Sequence, residues 1–291
     1  MDLWIIYAIL SGIFVSLREL YIKKFIRQSP EMISFATRFY GSIIFLLLAA
    51  PGNLLPGDAL QGRIVIVNLP AFAGITLLTV VITAIATLIR LRLIKTEDLS
   101  LTTPWLGCVP IFVVLWSILL YQELPRMLAL LGIGLVSAGA FTINLQGKRL
   151  QMKKASMWML FSAALLGLTT SLDKIAIGAS SAITYSLLWT IASAGLMYGV
   201  VRVKTKKVIL ADRHLILQAV LWAGEFLFQM LAVQSLSSQS SGQTYVKTLT
   251  MLHIVLTTII GSMIFGEQER KKRSLSAVLI FLGAVIVVLC R

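Results

Sequence analysis

The chain is poor in charge, and poorest in acid. Of its 291 residues only 13% are Asp, Glu, Lys or Arg, and 12 acids face 26 bases. Soluble domains carry about twice that charged fraction, so a soluble enzyme is excluded. Only two cysteines are present, Cys108 and Cys290, each inside an apolar stretch. No disulfide framework or metal knuckle can be built from them, and both are expected to be small buried hydrophobes. Two histidines and no intramembrane Asp-x-x-Asp leave a metal-dependent lipid enzyme without its ligands, and no G-x-x-x-x-G-K-[ST] is there to drive an ATP pump. No cofactor or metal is expected. The opening Met-Asp-Leu-Trp has no basic leader, so the first apolar run is expected to stay as an anchor.

What is present is apolar: 58% of the residues are hydrophobic and the mean hydropathy is +0.90. A bilayer takes about 20 apolar residues per helix. Apolar runs between charged or Gly/Pro breaks predict spans near 3–22, 32–50, 69–89, 100–121, 127–146, 156–177, 182–201, 214–234, 243–264 and 275–290. Asn68-Leu69-Pro70 either starts the third span or belongs to a re-entrant turn. The net charge of +14 is dispersed in short clusters between these runs rather than along one face. Membrane orientation explains it, and nucleic acid is not expected as a partner. Connections after odd-numbered spans hold 19 Lys and Arg, and those after even-numbered spans plus the C-terminus hold 3. The positive-inside bias therefore predicts cytoplasmic odd loops and both termini outside.

The chain also repeats itself. Gly12, Ser16 and Leu17 match Gly167, Ser171 and Leu172 at an offset of 155, and Tyr121-Gln122-Glu123 matches Phe265-Gly266-Glu267 at 144. Five spans per unit is an odd number, so the second copy enters the membrane inverted and equivalent loops should carry opposite charge. They do: the loops after spans 1 and 6 hold three and zero bases, and those after spans 2 and 7 hold one and five. The expected fold class is all-α integral membrane, ten transmembrane helices as two inverted five-helix repeats, 1–147 and 155–291, joined by a basic loop at 148–154.

The run Asp98 to Pro104 (Asp-Leu-Ser-Leu-Thr-Thr-Pro), with Val109-Pro110-Ile111-Phe112, Tyr121-Gln122-Glu123 and Gly132, resembles helices four and five of the drug/metabolite transporter (DMT) superfamily, EamA type. Ser237 to Gln243, Gly266-Glu267 and Gly283 echo it in the second half. The resemblance implies a ten-helix carrier with a central cavity lined mainly by helices 3, 4, 8 and 9. Well-studied relatives usually keep both termini in the cytoplasm, opposite to the charge count.

Ionisable groups at bilayer depth are functional candidates because burying them costs several kcal/mol. Trp222, Glu225 and Gln229 recur at i, i+3 and i+7 on span 8 and form one stripe. It either faces the cavity or orders a helix contact. Lys247, Thr250, His253 and Thr257 share one arc of span 9, where Lys247 either neutralises Glu225 across the cavity or snorkels, and His253 either lines the cavity or is buried between helices. Thr76, Thr79, Thr83, Thr87 and Arg90 lie on one face of span 3, as a polar wall or as packing hydroxyls. Trp105 and Tyr245 supply cavity walls or interfacial belts. Arg18-Glu19 and Asp173-Lys174 occupy equivalent repeat positions with reversed order and are read as partly self-compensating structural, gating or interface pairs, or else as substrate contacts. Arg38 is lone and needs a partner, with Glu19 and Glu31 nearest in sequence. Glu123 and Glu267 are expected to cap helix ends, and Pro104 and Pro110 to bend span 4.

These readings converge on a multi-pass secondary active transporter of a small organic metabolite or drug-like solute, working by alternating access in a bacterial inner membrane, with a monomer the simpler expectation and a dimer the alternative. Glu225 and His253 would carry any proton coupling. A flippase for a lipid-linked headgroup is the alternative, and a membrane-embedded lipid-modifying enzyme is the alternative from another class.

Overall fold

A computed structural model describes residues 3–54, 66–97, 103–144, 154–205, 208, 210–265 and 270–290. All regular structure among them is helical. The order is α1 (Leu3–Phe25), α2 (Pro30–Leu54), α3 (Leu69–Thr96), a 3₁₀ segment (Thr103–Cys108), α4 (Val109–Tyr121), α5 (Met127–Asn144), α6 (Lys154–Gly178), α7 (Ala182–Lys204), α8 (Arg213–Ser235), α9 (Gly242–Thr250), α10 (Leu252–Phe265) and α11 (Arg270–Cys290). Seven helical stretches are long and apolar enough to cross a membrane, and Trp105–Tyr121, Met127–Thr142 and Val278–Cys290 are shorter apolar helices. Large side chains left exposed along them, such as Leu47, Leu119 and Phe281, suit a hydrocarbon solvent. The basic 148–153 stretch, Asp98 to Thr102 and Gly266-Glu267 lie outside the described residues. Lys154 opens α6.

Local chemistry sets the helix ends. Asn68 caps α3, its side chain accepting the Ala71 N–H, with Pro70 in the first turn. The third span therefore starts as a helix rather than a re-entrant turn. It also runs to Thr96, well past residue 89. Ser181 and Asp212 cap α7 and α8 in the same way. The fourth span is not one α-helix. Pro110 has no N–H for the Leu106 carbonyl, so the ladder cannot pass that point and Thr103–Cys108 winds as 3₁₀. The ninth span breaks too, at Met251, whose N–H bonds to the Lys247 and Thr248 carbonyls. An offset of 144 carries Cys108 onto Leu252, so the two breaks fall at matching places.

The most extensive helix pair is α5 with α11. It is antiparallel: Gly132 lies against Gly283 and Val287, while Gly139, seven residues on, lies against Ile280 and Ser276. At the crossing the backbones nearly touch, because a Cβ on Gly132 would stand 2.7 Å from the Gly283 carbonyl. Helices α2 and α7 are antiparallel as well, with Glu31 beside Lys204, Phe35 beside Tyr198 and Arg38 beside Ser193. Helix α1 packs on α8 and the α9–α10 pair, and α3 packs on α6 and α7. Two buried apolar clusters fill opposite ends of the bundle. One contains Trp4, Phe45, Phe72, Tyr185, Trp222 and Tyr245. The other contains Ile22, Ile33, Leu91, Ile94, Met197 and Leu215.

Candidate functional site

Between these clusters lies a cavity of about 110 Å³ whose wall draws on α1, α2, α3, α6, α7, α8 and α9. Helix α4 contributes nothing, contrary to the expected lining by helices 3, 4, 8 and 9. It packs on α6 instead, and Trp105, at the 3₁₀ segment, stands edge-on to Phe141 at 5.1 Å in a separate cluster with Met159 and Ala163.

Seven ionisable side chains face the cavity: Arg18, Glu19, Arg38, Arg90, Asp173, Glu225 and Lys247. Because α1 packs on α8, Arg18 Nε sits 3.0 Å from Glu225 Oε2. Glu19, facing the other way, pairs with Arg90 of α3. Arg18 and Glu19 thus compensate other helices rather than each other, as neighbours on a helix point in different directions. Asp173 and Lys174 separate likewise. Asp173 lines the cavity and accepts the Tyr185 hydroxyl. Lys174 turns away to Glu123, at 2.6 and 2.7 Å. Glu123 also accepts the Ser241 N–H at 2.7 Å, just before α9, so it does serve a helix end.

Lys247 does not neutralise Glu225 by direct contact: its Nζ donates to Gln229 Oε1 at 3.2 Å, one turn further along α8. Arg38 meets neither Glu19 nor Glu31, because Glu31 is taken by Arg92 and Lys204. Its Nε donates to Ser193 Oγ at 2.5 Å, Nη1 to the Ser34 carbonyl and hydroxyl at 3.0 and 2.6 Å, and Nη2 to Thr87 Oγ1 at 3.3 Å. Its guanidinium carbon lies 5.6 Å from the centre of the Trp189 ring.

An aromatic wall adjoins these charges. Trp222 stacks on Phe226 with centroids 5.0 Å apart, and Trp189 stands 6.0 Å from Trp222 and 4.9 Å from Phe226. Of the residues singled out from sequence, Trp222, Glu225, Gln229, Lys247, Thr83, Thr87, Arg90, Arg18, Glu19, Asp173 and Arg38 reach the cavity together. Tyr245 and Thr250 do not. Tyr245 belongs to the apolar cluster, and Thr250 bonds back to the Val246 carbonyl. His253 lies outside as well, 2.9 Å from the Thr250 carbonyl through Nδ1, its own carbonyl accepting Ser16 Oγ across the α1–α10 contact. Sequence reasoning missed Trp189, Gln218, Thr37 and Ser34. Trp189 had a signal: it lies in an apolar span just after a capping Ser181, but nothing in the pattern showed which face met a cavity.

The arrangement can enclose a small solute against polar and aromatic groups at mid-bundle. About 10–15 Å³ of such volume holds one water, so the space suits a solute of roughly ten heavy atoms. Among the described residues no group of three or more His, Cys, Asp or Glu is placed to hold a metal ion.

Residues 2–145 match the model of the EamA-like transporter family. No curated protein matches the chain. A solved structure described only as the crystal structure of a protein is 13% identical, with 98% of this chain and 97% of that chain covered and a TM-score of 0.71, which shows a shared fold.

Proposed function

The chain belongs to the EamA-like transporter family, multi-pass membrane proteins of the DMT superfamily that carry small solutes, and from that premise we propose that it is a secondary carrier working by alternating access through the cavity between α1–α3 and α6–α9. The observation that carries this is the convergence, among the described residues, of seven ionisable and three large aromatic side chains from both halves of the chain on one cavity. Buried charge in a membrane bundle is costly and marks a solute path more often than a packing contact.

The helix pairings support two inverted repeats, 1–147 and 155–291. Exchanging the halves turns α1 on α8 into α6 on α3, and α4 on α6 into the α9–α10 pair on α1, and both partners of each exchange occur. The self-equivalent pairs, α2 with α7 and α5 with α11, run antiparallel, as inverted copies must. Arg38 and Ser193, in contact, are separated by the repeat offset of 155, which supports a pseudo-axis beside the cavity. Rocking of one repeat against the other would then open it to either side. Matching breaks in the fourth and ninth spans supply places to bend.

One chain lines the cavity, which favours a monomer, and the charge count favours odd loops in the cytoplasm; a bacterial inner membrane is proposed as the location. Proton coupling is proposed through Glu225 alone, since the His253 ring is packed outside the cavity. If a pH gradient drives Glu225→Gln as well as the parent in vesicles, coupling through Glu225 is wrong.

The site itself is tested by a thermal-shift screen of the purified protein against amino acids, amines and nucleotides, followed by uptake of each hit into proteoliposomes. Trp222→Ala and Gln229→Leu should cut uptake at least tenfold while Trp105→Phe leaves it unchanged. Uptake indifferent to both cavity variants would show that the solute travels elsewhere.

A further inference from the structure

The charge pattern of the cavity goes beyond the carrier reading and, resting on it, selects the sign of the cargo. Among the described residues the wall holds four cations and three anions: Arg18 touches Glu225, Glu19 touches Arg90, and Lys247 lies in the field of both Glu225 and Asp173. Arg38 is the odd one out. It is 2% exposed, and among the described residues no carboxylate lies within ion-pairing distance. Its partners are three hydroxyls and one carbonyl, all neutral.

Neutral hydroxyls orient a guanidinium without cancelling its charge. Four of its five N–H groups are used and the Nη2 contact to Thr87 is the longest, so the Nη2 side retains a donor. The planar fork thus keeps one free N–H, which with its uncancelled charge can take one oxygen of an oxyanion. Beside it stand Trp189, Trp222 and Phe226, which offer flat apolar surface. The carboxylates differ in charge balance: Glu19 keeps one oxygen without a hydrogen-bond partner, but Glu19 and Glu225 each already face an arginine, and Asp173 accepts Tyr185.

We propose that the cargo is a small organic anion, a carboxylate or phosphate attached to a flat or apolar group, with the oxyanion on Arg38 and the apolar part against the Trp189–Trp222–Phe226 wall. Arg38 is then charged and uncompensated only in the empty carrier, and cargo neutralises it. Its contact with Ser193 joins the two halves at the pseudo-axis, where a bound anion stays in reach of both during rocking.

The test uses the full-length protein in detergent with phenylacetate, phenylphosphate, phenethylamine and benzyl alcohol, against equal sodium chloride. Melting temperature and calorimetric affinity are read. Phenylacetate, phenylphosphate or both should give a saturable rise, and which of them does so separates the carboxylate from the phosphate. Phenethylamine and benzyl alcohol should give none. Arg38→Gln should weaken anion binding at least tenfold, and Arg38→Lys, which keeps charge but loses the fork, should fall between. An equal response to chloride alone, or anion binding unaltered in Arg38→Gln, overturns the proposal. The comparison by charge sign uses the unaltered protein, so it decides even where Arg38→Gln does not fold. Saturable binding of phenethylamine that Trp222→Ala abolishes overturns the anion assignment while leaving the carrier reading intact. Silence from all four probes, with uptake indifferent to Trp222→Ala, overturns both.

Discussion

Arg18 and Glu225 show what sequence conceals at the scale of single residues. Each was visible as an ionisable group in an apolar run, because the cost of burying charge makes such residues rare. Their partnership was not visible, since it depends on α1 lying against α8 at one register. The same holds for Glu19 with Arg90 and Lys174 with Glu123: hydropathy locates the charges, and helix packing chooses the pairs. The Arg18–Glu225 pair can be measured. Glu225→Gln leaves Arg18 without its carboxylate, and breaking a buried pair from one side costs about 3–5 kcal/mol. The two side chains keep 10% and 14% exposure to the cavity, so the low end, about 3 kcal/mol, is expected in denaturant unfolding in detergent. Arg18→Gln with Glu225→Gln removes both charges and should recover more than half of the loss. If the double variant is as unstable as the sum of the singles, the two groups are not coupled.

Helices were the most legible level, because a run of about 20 apolar residues has few alternatives in lipid. The spans expected at 182–201 and 214–234 match α7 and α8, Ala182–Lys204 and Arg213–Ser235, with capping Ser181 and Asp212 just ahead of each. The break at Met251 was not legible. No proline or glycine marks it, and the matching break in span 4 is explained by Pro110 alone. Which helices line the cavity was equally hidden, since helix 4 carries apolar faces that fit a cavity wall or a neighbour alike. Close approach makes a sharper prediction at this scale. Gly132→Ala puts a Cβ 2.7 Å from the Gly283 carbonyl and forces α5 off α11. Overpacking of this kind costs roughly 1–3 kcal/mol. Gly134→Ala, two residues along the same helix, meets nothing within 4 Å and should be neutral or stabilising, because alanine is the better helix former. Thermal unfolding of the two variants side by side checks this, and equal effects would mean that α5 and α11 are not in backbone contact.

For the whole molecule the open choice is between two opposite insertions of one architecture, related by a half-turn about an axis in the membrane plane. On the proposed reading as inverted repeats, the fold is nearly indifferent to which side faces the cytoplasm, since exchanging the halves restores the same pairings. What breaks the tie is loop charge, 19 bases against 3, each attracted by about 1 kcal/mol to an anionic cytoplasmic leaflet. An excess of that size outweighs the small structural asymmetry between the halves. The loop after α1 should therefore lie inside and the loop after α8 outside. Arg27 and Ser238 are exposed in these two loops. With Cys108 and Cys290 replaced by Ala, Ser238→Cys should react with an impermeant maleimide on intact cells, and Arg27→Cys only after lysis. The reverse pattern would mean that the EamA architecture overrides its own loop charges here, and the direction of any gradient-driven transport would have to be reassigned with it.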